Sequence, residues 1–182
     1  VRNEVVHNKF VIESLKKKGA IFVNDLKLVP ENSYLIYSAH GVSKKVKSDS
    51  DNYKLKSIDA TCPLVTKVHK EVNHYLKNNY EIIMIGHKGH PEVEGTLGQD
   101  PTSKKMHLIE KISDIHHLNI SDPNKIAYVT QTTLSLEETK DVIKELKSRI
   151  QRIVNSDLCE NYNCYSMTLE SIMELFNYFS RT

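Results

Sequence analysis

The chain has 182 residues, with 25 Lys and Arg against 23 Asp and Glu, for a formal net charge of +2. That length allows one compact unit or two small ones and excludes a large multidomain machine. The near-neutral balance excludes a chain-wide electrostatic nucleic-acid binder, which needs a concentrated basic face. Hydrophobic residues make up 39% of the chain and sit in compact runs, so most of the length is expected to fold. No apolar run approaches the roughly 18 residues of a membrane span, so no membrane partner is expected. Three cysteines at widely spaced positions (Cys62, Cys159, Cys164) argue against a secreted disulfide framework. They point instead to a reducing compartment where thiols serve metal or redox chemistry.

In chain order a rhythm recurs: a short apolar run, a polar turn carrying reactive residues, then an amphipathic helix. Val5-Val6 leads into His7-Asn8 and a helix through Lys18, closed by Gly19 at the position after its end. Residues 20–23 read as a strand, and Tyr34–Tyr37 as another that enters Ser38-Ala39-His40-Gly41-Val42-Ser43. A short strand over 57–60 leads into Thr61-Cys62-Pro63. The following helix puts Val65, Val68, Val72, Tyr75 and Leu76 on one face.

The clearest strand is Glu81–Ile85, followed at once by Gly86-His87-Lys88-Gly89-His90-Pro91-Glu92. Met106–Ile109 is a further strand, and residues 126–129 form one that enters Thr130-Gln131-Thr132-Thr133-Leu134-Ser135. Ser135 and Glu138 have capping-box spacing, and Leu136, Ile143, Leu146 and Ile150 make the buried stripe of a last helix. Strands alternating with helices of this length predict an α/β fold of repeated βαβ units with parallel sheets. A boundary is expected near Thr61 to Pro63, and the rhythm is lost after about Arg152.

Ligands of open parallel sheets bind at the carboxyl ends of the strands. His7, His40, Cys62, His87, His90, Glu92, Thr130, Gln131, Thr132 and Thr133 all fall just past such ends. Taken singly, His7 and His40 would be ordinary turn histidines. Together, beside helix starts, they favour a phosphate or carboxylate group. His90 and Glu92, flanking a proline, suit an imidazole–carboxylate proton relay. His87 with His90 and a cysteine leaves a zinc hydrolase as an alternative, although the glycine-broken loop lacks helical ligand spacing. Thr130 to Thr133 offers hydroxyl and amide groups for a polar substrate, or simply a helix start. His69, His74, His107, His116 and His117 read as solvated. Cys62 precedes a proline-opened helix, where a thiolate is favoured over a buried structural thiol once other cysteines join it. Three thiolates from separate loops suit an iron–sulfur cluster with one iron left open.

Five stretches then carry a resemblance: Glu4-Val5-Val6-His7-Asn8, Ser38-Ala39-His40-Gly41-Val42-Ser43, Asp59-Ala60-Thr61-Cys62-Pro63-Leu64-Val65, the segment 85–96, and Thr130-Gln131-Thr132-Thr133-Leu134-Ser135. In this order they closely resemble the LytB/IspH family of 4-hydroxy-3-methylbut-2-enyl diphosphate reductases, over residues 1 to about 150. The resemblance implies three α/β units in a pseudo-threefold trefoil around a [4Fe–4S] cluster. The reaction implied is reductive dehydroxylation to isopentenyl and dimethylallyl diphosphates, the last step of the non-mevalonate route.

By position, Cys62 resembles the second cluster ligand, and His7 and His40 resemble diphosphate-binding residues. His90 is similar to the histidine near the diphosphate and proton relay, and Glu92 to the proton-delivering glutamate. Thr132 resembles the threonine that orients that glutamate and the substrate hydroxyl, with Gln131 and Thr133 beside it. Cys164, in Cys164-Tyr165-Ser166, is favoured as the third ligand, with Cys159 its rival. The resemblance also implies a ferredoxin or flavodoxin electron donor, a monomer or weak dimer, and a bacterial cytoplasm or plastid-type organelle.

The departures from the family pattern matter too. The family's first cluster cysteine and its Ser-x-Asn diphosphate motif have no counterpart here. The expectation is therefore a fragment: the remainder of a first unit over 1–61, a second unit over 62–155, and a truncated, divergent start of a third over 156–182. Such a fragment is expected to be inactive alone, which leaves a non-catalytic diphosphate-binding piece as a further alternative.

Overall fold

The computed structural model describes residues 1–2, 8–100, 104–122 and 125–149. His7, Cys159, Cys164 and Ile150 lie outside them, as does the whole segment read as the start of a third unit. Two parallel sheets organise the described residues. The first pairs β1 (Tyr34–Tyr37) with β2 (Lys56–Asp59), in register from Tyr34 opposite Lys56 to Tyr37 opposite Asp59. The second has β3 (Glu81–Ile85) in the centre, β4 (Met106–Ile109) on one side and β5 (Ile126–Thr130) on the other, all parallel. The α/β expectation with parallel sheets holds.

The second sheet shows why its central strand is the clearest signal in the chain. Every residue of β3 is buried, because a parallel strand covered on both faces reads as a continuous apolar run. Ile82 and Met84 face one layer with Ala127 and Val129, packed against Val72 of α3 (Pro63–Lys77) and Val93 of α4 (Pro91–Leu97). Ile83 and Ile85 face the other layer with Ile109, Ile126 and Tyr128. There they meet Ile115 of α5 (Ile112–Ile115) and Val142 and Leu146 of α6 (Leu136–Arg149). Val65, Val68, Val72, Tyr75 and Leu76 of α3 are buried or packed as their spacing predicts. Ser135 and Glu138 exchange both bonds of the capping box, Glu138 N to Ser135 Oγ at 3.2 Å and Ser135 N to Glu138 Oε2 at 2.9 Å.

Around the first sheet the outcome is mixed. The helix after Asn8 is α1 (Lys9–Lys17), capped by the Asn8 side chain, and Gly19 follows it with φ +89°. The strand expected over 20–23 shrinks to a single parallel bridge between Val23 and Arg2, and Arg2 also bridges Tyr37. The reason is local. A 3-10 turn over Leu26–Leu28, capped by the Asp25 carboxylate, begins almost at once and bends the chain away. The strand expected over 57–60 is β2, one residue earlier. A helix with little apolar patterning, α2 (Lys44–Asn52), starts at Ser43, whose hydroxyl accepts from Val46 N at 3.2 Å.

Candidate functional site

The loops after β1 and β2 are joined first. Past Tyr37 the chain turns through Ser38 to Gly41, closed by Gly41 N donating to Ser38 O at 3.1 Å. Gly41 has φ +75°, and a Cβ there would lie 2.7 Å from His69 Cε1 and 3.1 Å from Val65 Cγ1, so α3 presses directly on this turn. Cys62 N donates to Ala39 O at 2.9 Å, tying the backbone at the start of α3 to the residue before His40. Cys62 is the N-cap of α3 with Pro63 in its first turn, and its partly exposed thiol makes no capping bond. The Asp59 carboxylate accepts from Thr61 N and from Lys47 Nζ, each at 3.0 Å. Burial alone would raise its pKa, but those bonds and the Thr61 hydroxyl outweigh burial and hold it below the usual carboxylate range.

The second sheet supplies the other half. Gly89, at φ +81°, lets the loop after β3 turn so that His90 N donates to His87 O at 3.1 Å. His90 is the N-cap of α4, its Nδ1 accepting from Glu92 N at 3.2 Å, and Pro91 follows it as the first helical residue. Glu92 is only 1% exposed. Its two oxygens accept separate bonds from Thr132, Oε1 from the backbone N–H at 2.7 Å and Oε2 from the hydroxyl at 2.9 Å. Burial raises the Glu92 pKa, and the two Thr132 bonds only partly offset it. The carboxyl therefore keeps its proton to higher pH than an exposed glutamate, as a proton donor requires.

Gln131 bonds to the protein at both ends of its amide. Its Oε1 accepts from His87 N at 3.0 Å, and its Nε2 donates to Thr133 Oγ1 at 2.7 Å, so it holds the loops after β3 and β5 together. His87 is exposed. The two halves meet at His40 and His90, whose rings stand edge to face, centroids 5.4 Å apart and planes at 88°. His40 is buried and His90 partly so. Two imidazoles from different sheets thus converge beside a buried, oriented carboxyl, while Cys62 stands next to the His40 loop.

A family model described as LytB protein matches residues 1–174. The chain belongs to the LytB family. It is 54% identical over 162 residues to the 4-hydroxy-3-methylbut-2-enyl diphosphate reductase of Vesicomyosocius okutanii, covering 87% of this chain and 53% of that one. The reductase of Neisseria meningitidis serogroup B is likewise 54% identical, with 50% of its length covered. Among solved LytB structures, the E-1-hydroxy-2-methyl-but-2-enyl-4-diphosphate reductase of Plasmodium falciparum superposes with a TM-score of 0.81 at 43% identity, over 86% of this chain and 48% of that one. The chain spans about half the length of these LytB relatives.

Two readings need correction. His69 is not a solvated histidine. It is largely buried, and burial, reinforced by nearby Lys47 against a smaller opposing pull from Asp59, pushes its pKa down to about 4. His107 is not solvated either, since its Nε2 lies 2.8 Å from Glu81 Oε2 and its side chain is 20% exposed. Sequence reasoning also passed over Gln99, Asn73 and Gly98, and gave Gly95 no role of its own. The available signal was a pair of glycines three apart at α4, which mark a close backbone approach rather than a good helix former. Among the described residues, no group of three or more His, Cys, Asp or Glu converges to hold a metal ion, and no helix is long and apolar enough to cross a membrane.

Proposed function

We propose that this chain carries half of the active site of a 4-hydroxy-3-methylbut-2-enyl diphosphate reductase. The reaction takes two electrons and two protons, breaks the carbon–oxygen bond of the C4 hydroxyl, and releases water with isopentenyl or dimethylallyl diphosphate. His40 and His90, with His7, donate to the diphosphate oxygens. Glu92 holds the proton delivered at the substrate, and the Thr132 hydroxyl orients that carboxyl and the departing hydroxyl. Gln131 and Thr133 fix the loop that presents Thr132.

Cys62 suits a [4Fe–4S] cluster, since its partly exposed thiol stands at the N-terminus of a long helix, beside the His40 loop and free of a capping bond. Cys164, or its rival Cys159, supplies a further ligand. When bound, the cluster supplies the electrons and a Lewis-acidic iron. The family resemblance points to a ferredoxin or flavodoxin as the electron donor. We keep the proposed unit boundary at 61/62; what supports it is that α3 follows β2 and packs on the second sheet.

The observation that carries the reading is the Thr132 grip on a buried Glu92 beside the His40–His90 pair. Its test is Glu92→Gln in the full-length reductase that carries this sequence. A fall in turnover of about 100-fold or more with diphosphate binding nearly unchanged supports proton delivery, because general acid catalysis contributes on that order. Equal losses in turnover and binding contradict it.

A further inference from the structure

The two imidazoles reach each other because the two sheets meet along a seam built almost entirely of backbone. A Cβ at Gly95 of α4 would sit 3.2 Å from Gly41 O, and a Cβ at Gly98 would lie 2.2 Å from the Ser43 side chain. Lys44 N donates to Gly98 O across the same seam at 3.0 Å. Nothing larger than glycine fits at Gly98. At so close a backbone approach, polar bonds across the seam help to hold it closed.

Those bonds converge on Gln99. The side chain is buried at 6% exposure, just past the end of α4. Its Nε2 donates to Val42 O at 3.1 Å, two residues after His40, and to Gly95 O at 2.8 Å, inside the helix that begins after His90. Its Oε1 accepts from Asn73 Nδ2 at 3.2 Å, on the helix capped by Cys62. Asn73 also donates to His69 O at 2.6 Å and accepts from Lys44 Nζ. One amide therefore bonds the His40 loop, the His90 helix and the Cys62 helix. Both of its donor hydrogens are used, one on each carbonyl.

We infer that Gln99 is a positioning residue that holds the His40 loop against α4, fixing the His40 and His90 imidazoles for a diphosphate. It touches no reacting atom and acts through Val42 and Gly95. This inference rests on the diphosphate reading above for its purpose, though not for its geometry.

The test uses Gln99→Met, which keeps length and volume and loses all three bonds, and Val142→Ala as a control. Val142 lies in the core on the opposite face of the second sheet, away from the seam. Two quantities are read on the 182-residue protein: the ring-to-ring nuclear Overhauser contact of His40 and His90 without ligand, and affinity for inorganic pyrophosphate by calorimetry. Gln99→Met is expected to lose the ring contact and to bind pyrophosphate roughly tenfold more weakly. Val142→Ala, with a comparable drop in melting temperature, is expected to keep both. Retention of contact and affinity in Gln99→Met, or equal losses in Val142→Ala, overturns the role. Gln99→Glu, which keeps an acceptor for Asn73 and turns a carboxyl oxygen toward the Val42 and Gly95 carbonyls in place of the donors, is a second variant, and retention of the ring contact there also counts against it. If the unsubstituted chain binds no pyrophosphate, the diphosphate reading fails, while the ring contact still decides the role of Gln99.

Discussion

Thr132 grips Glu92 with two bonds across 40 residues of chain, its backbone N–H on one carboxylate oxygen and its hydroxyl on the other. Burial pushes the Glu92 pKa up and both bonds pull it back, so the residue that orients the acid also tunes it. Thr132→Val removes the hydroxyl bond and leaves the backbone one. The Glu92 pKa is then expected to rise further, because a bond favouring the ionised form is lost. Titration of the Glu92 carboxyl carbon by NMR in both proteins reads this directly. An unchanged or lower midpoint in Thr132→Val means that the hydroxyl does not hold the carboxylate.

Gly41 and Gly89 share a left-handed backbone and differ in surroundings, which separates strain from crowding. At φ +75°, a Cβ on Gly41 meets His69 Cε1 at 2.7 Å, whereas at φ +81° a Cβ on Gly89 meets nothing within 4 Å. Gly89→Ala should cost only the left-handed penalty, about 1–2 kcal/mol. Gly41→Ala should cost that plus about 1–3 kcal/mol for overpacking against α3. Urea unfolding of the two variants checks the order. Equal losses show that α3 yields at no cost.

The parts legible in the sequence were those where one local rule governs. The buried run of β3, the apolar stripe of α3 and the Ser135–Glu138 spacing each announce their element without help from the rest of the chain. So did the strand-end position of His40, Cys62, His90, Glu92 and Thr132, because parallel topology alone sends those residues to one edge. What stayed hidden depends on contacts between elements distant in sequence. His69 looks solvated on a helix of mixed composition, and the His40 loop, with Gly41 against its ring, helps to bury it. Gln99 looks like a surface residue after a helix end until Val42, 57 residues earlier, comes to lie on its amide. Residues 20–23 have strand composition, yet a turn-forming Asp25 overrides it.

The capping box of α6 has a measurable worth of its own. Ser135 Oγ accepts from Glu138 N, and Glu138 returns a bond to Ser135 N, so two backbone donors at the helix start are satisfied side chain to backbone. Bonds from Ser135, set against a smaller opposing effect of desolvation, lower the Glu138 pKa. Ser135→Ala should destabilise the protein by roughly 0.5–2 kcal/mol. Because α6 covers the sheet face opposite α3, the pyrophosphate affinity is expected to stay unchanged. A stability loss accompanied by a tenfold affinity loss contradicts that separation of roles.

Glu81 behaves in the opposite sense to Glu92, and its pH dependence has the opposite sign. At the start of β3 its Oε1 accepts from Ser121 N at 2.7 Å and its Oε2 pairs with His107 Nε2 at 2.8 Å. Burial alone would raise this pKa, but the bonds from His107 and Ser121 outweigh burial and hold it below the usual glutamate range. A carboxyl depressed on folding contributes stability above its unfolded pKa of about 4.3 and loses it as pH falls through the lower folded value. Glu81→Gln should therefore be less stable than the unsubstituted chain near neutral pH, by roughly 1–3 kcal/mol for bonds to a charged group. The gap should narrow as acid protonates Glu81 in the unsubstituted chain. Urea unfolding of both proteins at about pH 7 and again below about pH 4 checks it. A gap of the same size at both pH values means that the carboxylate charge contributes nothing to holding β3 against β4.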